Sequence, residues 1–390
     1  MLASLPPLTL YVHLPWCARK CPYCDFNSHE LKGRVPEDEY VDALLADLEQ
    51  DLPLVWGRVC HAVFIGGGTP SLFSPEAIER LLSGVRARLG MAPDAEITLE
   101  ANPGSSEAGR FAGFREAGVN RLSIGVQSFN AGHLKAIGRI HDPGEAAAAA
   151  SAAREAGFDN FNLDLMFGLP EQSLADVLGD ARTALDFEPA HLSFYQLTLE
   201  PGTRFYRHPP VLPDEDESWR MQEEIQALLA SRGYRQYEVS AYARDGRRCA
   251  HNLNYWRFGD YLGIGAGAHA KISSHEGIER SAKVRSPGSY LRKAGGPERI
   301  ASSRMLSGDD AVFEFMLNVL RLREPVPVAM LQQRTGRPLA AVREVVEQAQ
   351  RDGLLRVEQG ALSTTEQGFR FLNELLERFL PGETAQSGTS

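Results

Sequence analysis

The chain has 390 residues, of which 43% are apolar and 24% charged, with a formal net charge of −10. That length and apolar share supply one large core and a smaller second one, and the acidic balance excludes a protein whose main work is gripping nucleic-acid phosphates. No run approaches the roughly 18 apolar residues of a spanning helix, and the first ten residues have neither the basic start nor the apolar stretch of a signal peptide, so the expected location is the cytoplasm.

Short β-rich runs at residues 8–14, 61–65, 96–100, 121–128, 160–167 and 191–199 alternate with helically spaced segments at 39–49, 75–88, 144–156 and 173–185. The runs are nearly continuous in apolar residues, as parallel strands buried on both faces are. Six βα units of one hand curl into a barrel or a large part of one. The predicted fold is therefore α/β, a partial (β/α)6 TIM-like barrel over residues 1–215. A flat doubly wound sheet would want a glycine-rich turn after the first strand, where this chain carries cysteines.

Residues 216–305 read as a region that extends the barrel, with a helix at 219–231, a strand near 237–242 and a glycine-punctuated stretch at 258–270. From 306 the spacing changes to helices at 312–322, 328–335 and 339–352, followed by a hairpin from 354–357 and 361–363. That order predicts a smaller winged-helix-like α+β domain ending near residue 380, and the small polar tail 381–390 is expected to be disordered. Winged helices often read DNA, but this one lacks a basic recognition helix.

Five cysteines, three of them at positions 17, 21 and 24, make a poor disulfide framework. Three thiolates in one loop after the first strand of a barrel lie where active sites are built. They can ligate a [4Fe–4S] cluster and leave its fourth iron open. The alternative is a zinc site of the three cysteines and His29, making a zinc-stabilised binding protein. Strand two ends in GGGTP at residues 66–70, whose bare backbone admits a close ligand. Glu100 ends strand three, Gln127 lies at strand four and Asp164 lies within strand five, each polar among apolar neighbours, and leaving such a group buried and unpaired costs about 1–3 kcal/mol. Taken in strand order, they suit a nucleoside with ribose hydroxyls and a positive sulfonium.

The C-x-x-x-C-x-aromatic-C spacing resembles the radical SAM superfamily. The segments YVHLPWC, GGGTP, LEANPG, GVQSF, LDLMFGLP and HNLNYW together resemble the oxygen-independent coproporphyrinogen oxidase group over most of the chain, the C-terminal module included. The resemblance implies a [4Fe–4S] cluster on Cys17, Cys21 and Cys24, with its unique iron chelated by S-adenosylmethionine (SAM). It also implies SAM contacts from Tyr11, Tyr23, Gly67, Gly68, Thr69, Glu100, Gln127, Arg139 and Asp164.

Two branches of this group differ. One decarboxylates propionates of coproporphyrinogen III by radical chemistry; the other is the HemW-type haem chaperone, which binds haem and passes it on. The oxidase branch has a fourth cysteine where this chain has Phe26, and a longer segment ahead of the tyrosine that is Tyr11 here. The H-N-x-x-Y-W motif at residues 251–256 points to the chaperone branch, with His251 as the expected haem ligand and Arg247 and Arg248 near the propionates. Cys249 reads as a small buried residue, and Cys60 carries no assigned role. The expected cofactors are the cluster, SAM and haem. The expected partners are haem-requiring apoproteins, respiratory and membrane-associated ones among them, so a peripheral membrane encounter is included. Neither the electron donor nor the oligomeric state is legible, and a homodimer stays open. His13, His133, His141 and His269 read as structural.

Overall fold

The protein is described by a computed structural model that covers residues 4–381. Strands β1 (Leu8–Leu14), β2 (Cys60–Gly67), β3 (Met91–Ala101), β4 (Arg121–Gln127), β5 (Phe161–Phe167) and β6 (His191–Gln196) lie side by side in chain order, all parallel. Helices α1 (Glu37–Asp51), α2 (Pro75–Arg88), α3 (Phe111–Glu116), α4 (Pro143–Glu155) and α5 (Leu174–Asp186) provide the crossovers. Their starts are written locally. Ser74 accepts from the N–H of Ala77 with a proline at the first turn, and Asp142 and Ser173 form capping boxes with the residues three positions on. On α2, Ile78, Leu81, Leu82 and Val85 recur at helical spacing and face the sheet.

The strands are not apolar on both faces, as the sequence reading had them. In β4, Leu122, Ile124 and Val126 are 0% exposed and pack with the helices. Arg121, Ser123, Gly125 and Gln127 alternate with them and line a cavity inside the partial barrel. Asn162, Asp164 and Met166 of β5 and His191, Ser193 and Tyr195 of β6 do the same. Register aligns these polar rows, with Glu100 beside Ser123, Gly125 beside Asp164, and Asp164 beside Ser193.

Residues beyond the six units extend the same sheet at both edges. Helix α6 (Glu215–Ser231) leads to β7 (Arg235–Gln236) and β8 (Ala241–Ala243), and β8 pairs antiparallel with β6. Helix α7 (Ala250–Trp256) packs against β1 and β2 and is followed by β9 (Asp260–Ile264), which pairs parallel with β1, Leu8 opposite Asp260. Strands β10 (His269–Ser273), β11 (Ile278–Lys283) and β12 (Ile300–Met305) continue that edge antiparallel. The edge is locked to α1 by a buried charge cluster. Lys283 reaches Asp47 and Asp51 at 2.6 Å each, Arg299 donates to Asp47 at 2.9 Å, and the Tyr290 hydroxyl donates to Asp47 at 2.6 Å.

The C-terminal region starts with α8 (Gly308–Val319). A three-stranded sheet then forms from β13 (Val326–Pro327), β14 (Leu355–Glu358) and β15 (Ala361–Thr364), ordered β13-β15-β14, with helices between its first two strands. Val312, Phe315, Leu331, Val346 and Leu362 form its own core, which Phe258 and Ile278 of the extended sheet also join. The tail expected to be disordered lies outside the described residues apart from Pro381. Among the described residues no helix is long and apolar enough to cross a membrane.

Candidate cofactor site in the barrel

After β1 the chain forms a loop whose two ends pair, Trp16 opposite His29 and Cys17 opposite Glu30. The N–H of His29 donates to Pro15 O at 2.7 Å and that of Leu31 to Cys17 O at 2.8 Å, while Cys24 N–H donates to Cys21 O at 3.2 Å. The three thiols are half-buried and line one cavity of about 380 Å³, within the range of roughly 300–1,000 Å³ of small-molecule sites. Burial pushes the Cys17 and Cys24 thiols up, opposed at Cys17 by Thr69 and at Cys24 by Ser28.

The glycine turn at the end of β2 faces this loop. Gly68 N–H donates to Leu14 O at 2.8 Å and Thr69 N–H to Trp16 O at 2.7 Å. At Gly67, where φ is +118°, a Cβ would lie 2.7 Å from the His13 ring, and at Gly68 it would lie 2.5 Å from Trp16 O. Only glycine fits at either place, and the bare backbone opens onto the cavity beside the thiols. Asn102 joins this turn to the far wall: its Nδ2 donates to Thr69 Oγ1 at 2.9 Å, and its Oδ1 accepts from Arg139 Nη2 at 2.8 Å. Arg139 also donates to Gly125 O at 2.6 Å and reaches Cys21 Sγ at 3.8 Å. Gln127 closes β4 at φ +68°, an unusual conformation for a residue with a side chain, just after a register shift between Gly125 and Gln127.

Two carboxylates face the same space. Burial, then repulsion from Asp164, pushes Glu100 up to about 7, opposed by the Gly67 N–H. Asp164 is also pushed up by burial, but Ser123 and Asn162 donate to it at 2.9 and 2.8 Å and hold it back. Paired buried carboxylates favour a cationic ligand, which relieves both desolvation and repulsion. Thiols from one loop, a glycine cradle and this acid pair therefore fit an iron–sulfur cluster and a sulfonium ligand. The zinc alternative wants ligands converging on one point. Among the described residues no group of three His, Cys, Asp or Glu side chains is placed to hold one metal ion.

The sequence model of the radical SAM superfamily matches residues 11–184, and that of the HemN C-terminal domain matches residues 306–371. The chain is 52% identical over 380 residues to the heme chaperone HemW of Escherichia coli (strain K12), covering 97% of this chain and 100% of that one. It is 38% identical over 390 residues to the heme chaperone HemW of Mycobacterium tuberculosis (strain H37Rv), covering 98% and 97%. This chain belongs to the HemW family. Among solved structures, coproporphyrinogen III oxidase (HemN) of Escherichia coli, described as a radical SAM enzyme, superposes with a TM-score of 0.81 over 96% of this chain and 90% of that one. At 24% identity that likeness establishes the shared fold. Membership of the radical SAM superfamily implies a [4Fe–4S] cluster and SAM.

Within this HemW-family chain, the cavity gathers Cys17, Cys21, Cys24, Tyr23, Gly67, Gly68, Thr69, Glu100, Gln127, Arg139 and Asp164. Tyr11 stands behind the lining. It stacks on Phe64 at 6.3 Å, and its hydroxyl donates to His13 Nδ1 at 3.0 Å. His251 is 7% exposed and enclosed by Tyr11, Phe64 and Tyr261, so its neighbour Asn252 faces the cavity instead. Burial pushes the His251 imidazole down to about 4, and its Nδ1 has no hydrogen-bond partner. Arg247 and Arg248 lie outside the lining, paired with Asp159 at 3.0 Å and Glu324 at 2.6 Å. Cys249 and Cys60 are fully buried. Sequence reasoning missed Asn102, Arg121, Ser123, Asn162, His191 and Ser193, all of which line the cavity. Polar residues at every second position, as in R-x-S-x-G-x-Q, were the available signal.

Proposed function

We propose that this chain is a haem chaperone: it holds a [4Fe–4S] cluster on Cys17, Cys21 and Cys24, binds SAM beside it, and carries haem to haem-requiring apoproteins. The observation that carries this reading is the single cavity lined by three loop thiols and the Glu100–Asp164 pair, in a chain that aligns end to end with heme chaperones HemW. Together, the cluster and SAM supply one-electron chemistry at the sulfonium. The chain's own residues would do the rest. Gly67, Gly68 and Thr69 give the amino-acid end of SAM a close backbone, Glu100 and Asp164 face its positive charge and ribose, Gln127 and Tyr23 flank the nucleoside, and Arg139 braces Cys21 while Tyr11 supports the wall.

Phe26 supports the chaperone over the oxidase reading. It lines the cavity and is 61% exposed where the oxidase pattern carries another thiol. His251 is the proposed haem ligand, supported by its unpartnered Nδ1. We place the protein in the cytoplasm, meeting acceptors that include membrane-associated respiratory proteins.

The test is anaerobic reconstitution followed by haem titration of the wild type and His251→Ala. About four irons and four sulfides per chain, with a saturable Soret change that His251→Ala weakens, is the expected result. Iron and sulfide without saturable haem binding would remove the chaperone reading and leave the cluster.

A further inference from the structure

Asn27 sits at the exit of the cysteine loop and belongs to no catalytic or binding set described above. Its side chain is fully engaged. Nδ2 donates to Ala266 O at 2.8 Å and to Arg285 O at 2.9 Å, and Oδ1 accepts from Arg285 Nε at 3.4 Å. Its backbone O accepts from His13 Nε2 at 2.9 Å, which leaves His13 Nδ1 free to accept from the Tyr11 hydroxyl. One asparagine thus joins the cysteine loop to three separate segments: β1, the turn after β9, and the turn after β11.

The receiving side is rigid. Gly267 N–H bonds Val284 O at 2.9 Å, so the two turns that hold Asn27 are tied together. Gly265 N–H donates to the Tyr290 hydroxyl at 3.0 Å and to Asp47 at 3.2 Å, and Asp47 is paired with buried Lys283. The loop side is short. Ser28 follows Asn27, and its hydroxyl lies 3.7 Å from Cys24 Sγ. Lys20 Nζ bridges Phe26 O and Ser28 O at 3.1 Å each, making the segment after Cys24 one unit. Packing at this joint is tight: a Cβ on Gly267 would lie 2.3 Å from Asn27 Nδ2.

We propose that Asn27 is a positioning residue that fixes Cys24 against the β9–β11 edge, so that this edge sets how firmly the cluster is held and what it experiences. The inference rests on the reading of Cys17, Cys21 and Cys24 as cluster ligands. Cys17 is fixed separately, by strand pairing at the loop's ends. Loosening Asn27 therefore acts on the Cys24 side and leaves the Cys17 side in place.

Asn27→Asp keeps the shape but removes both N–H donors, and Gly267→Ala reaches the same joint from the opposite side. Both reconstituted variants are compared with wild type for the rate of iron loss to a chelator, the reduction potential of the cluster and the melting temperature of the metal-free chain. The loss of both donated hydrogen bonds predicts iron loss about tenfold faster or more in Asn27→Asp, with a shifted potential and with Gly267→Ala changing in the same direction. Asn27→Gln retains the donors and recovers part of the loss. Unchanged iron loss and potential in Asn27→Asp, whatever its melting temperature, would overturn the proposal. Failure of wild type to take up iron and sulfide would instead overturn the ligand assignment, and the proposal with it.

Discussion

The backbone N–H of Gly67 donates to Oε2 of Glu100 at 3.1 Å, tying the glycine turn of β2 to the carboxylate that closes β3. This single bond does not offset burial and the nearby Asp164, which together hold Glu100 near 7, above its ordinary 4.5. Its contribution to the stability of the ligand-free protein is thus fully present below about pH 4.5 and is lost as pH rises to about 7. Glu100→Gln should remove that loss. Urea midpoints of variant and wild type are expected to diverge in the variant's favour between about pH 5 and 7, and to run parallel above that window.

The same carboxylate should respond to SAM. A cation beside it favours the ionised form, so binding near pH 6 drives a proton off. Calorimetric titration in buffers of different ionisation enthalpy should show proton release and tighter binding as pH rises through about 7. Glu100→Gln is expected to bind SAM more weakly and to abolish the release.

Gly67→Ala is expected to reduce SAM affinity about tenfold, because a left-handed residue with a Cβ costs about 1–2 kcal/mol and that carbon would also press on His13. At Gly68 the obstacle is the Trp16 carbonyl, which is backbone and cannot rotate away. Gly68→Ala should be the more damaging of the two when both are compared by equilibrium dialysis.

Arg139→Ala leaves Gly125 O and Asn102 Oδ1 without their donor and removes the cation beside Cys21. The loss should be about 1–3 kcal/mol of stability, visible in the urea midpoint, together with less iron per chain after reconstitution. Arg139→Lys restores charge but not the forked geometry and should fall between the two.

Lys283→Met tests the lock between α1 and the β9–β12 edge. Of the two cations in this buried cluster, Asp47 and Asp51 would then keep Arg299, with the neutral donors Tyr290 and Gly265 still on Asp47. Breaking such a cluster costs about 3–5 kcal/mol, so the urea midpoint should drop sharply with an unchanged slope.

Much of this site was readable in the sequence because its residues break a pattern. Cys17, Cys21 and Cys24 crowd one loop, the glycines interrupt the end of β2, Glu100 and Gln127 stand as polar residues near the ends of apolar runs, and Asp164 interrupts one. Arg121, Asn162 and His191 were passed over because they stand at strand starts, where a polar residue looks like a boundary. The imidazole of His251 packs against Tyr11 and Phe64, a placement that was not legible because a motif fixes residue type and not the direction in which a short helix points it. The pairing of β9 with β1 joins Leu8 to Asp260 across most of the chain, and local periodicity carries no signal for such a distant partner. Asn27 reads as an ordinary loop residue until its partners at Ala266 and Arg285 are placed beside it.

The most direct test of the account supplies the anaerobically reconstituted protein with haem, SAM and coproporphyrinogen III together, and then adds a haem-free acceptor. The account predicts saturable haem binding, transfer of that haem to the acceptor and no release of CO₂ from coproporphyrinogen III. Decarboxylation to protoporphyrinogen without haem transfer would contradict it, and would mean that Phe26 can stand where the oxidase pattern has its extra thiol.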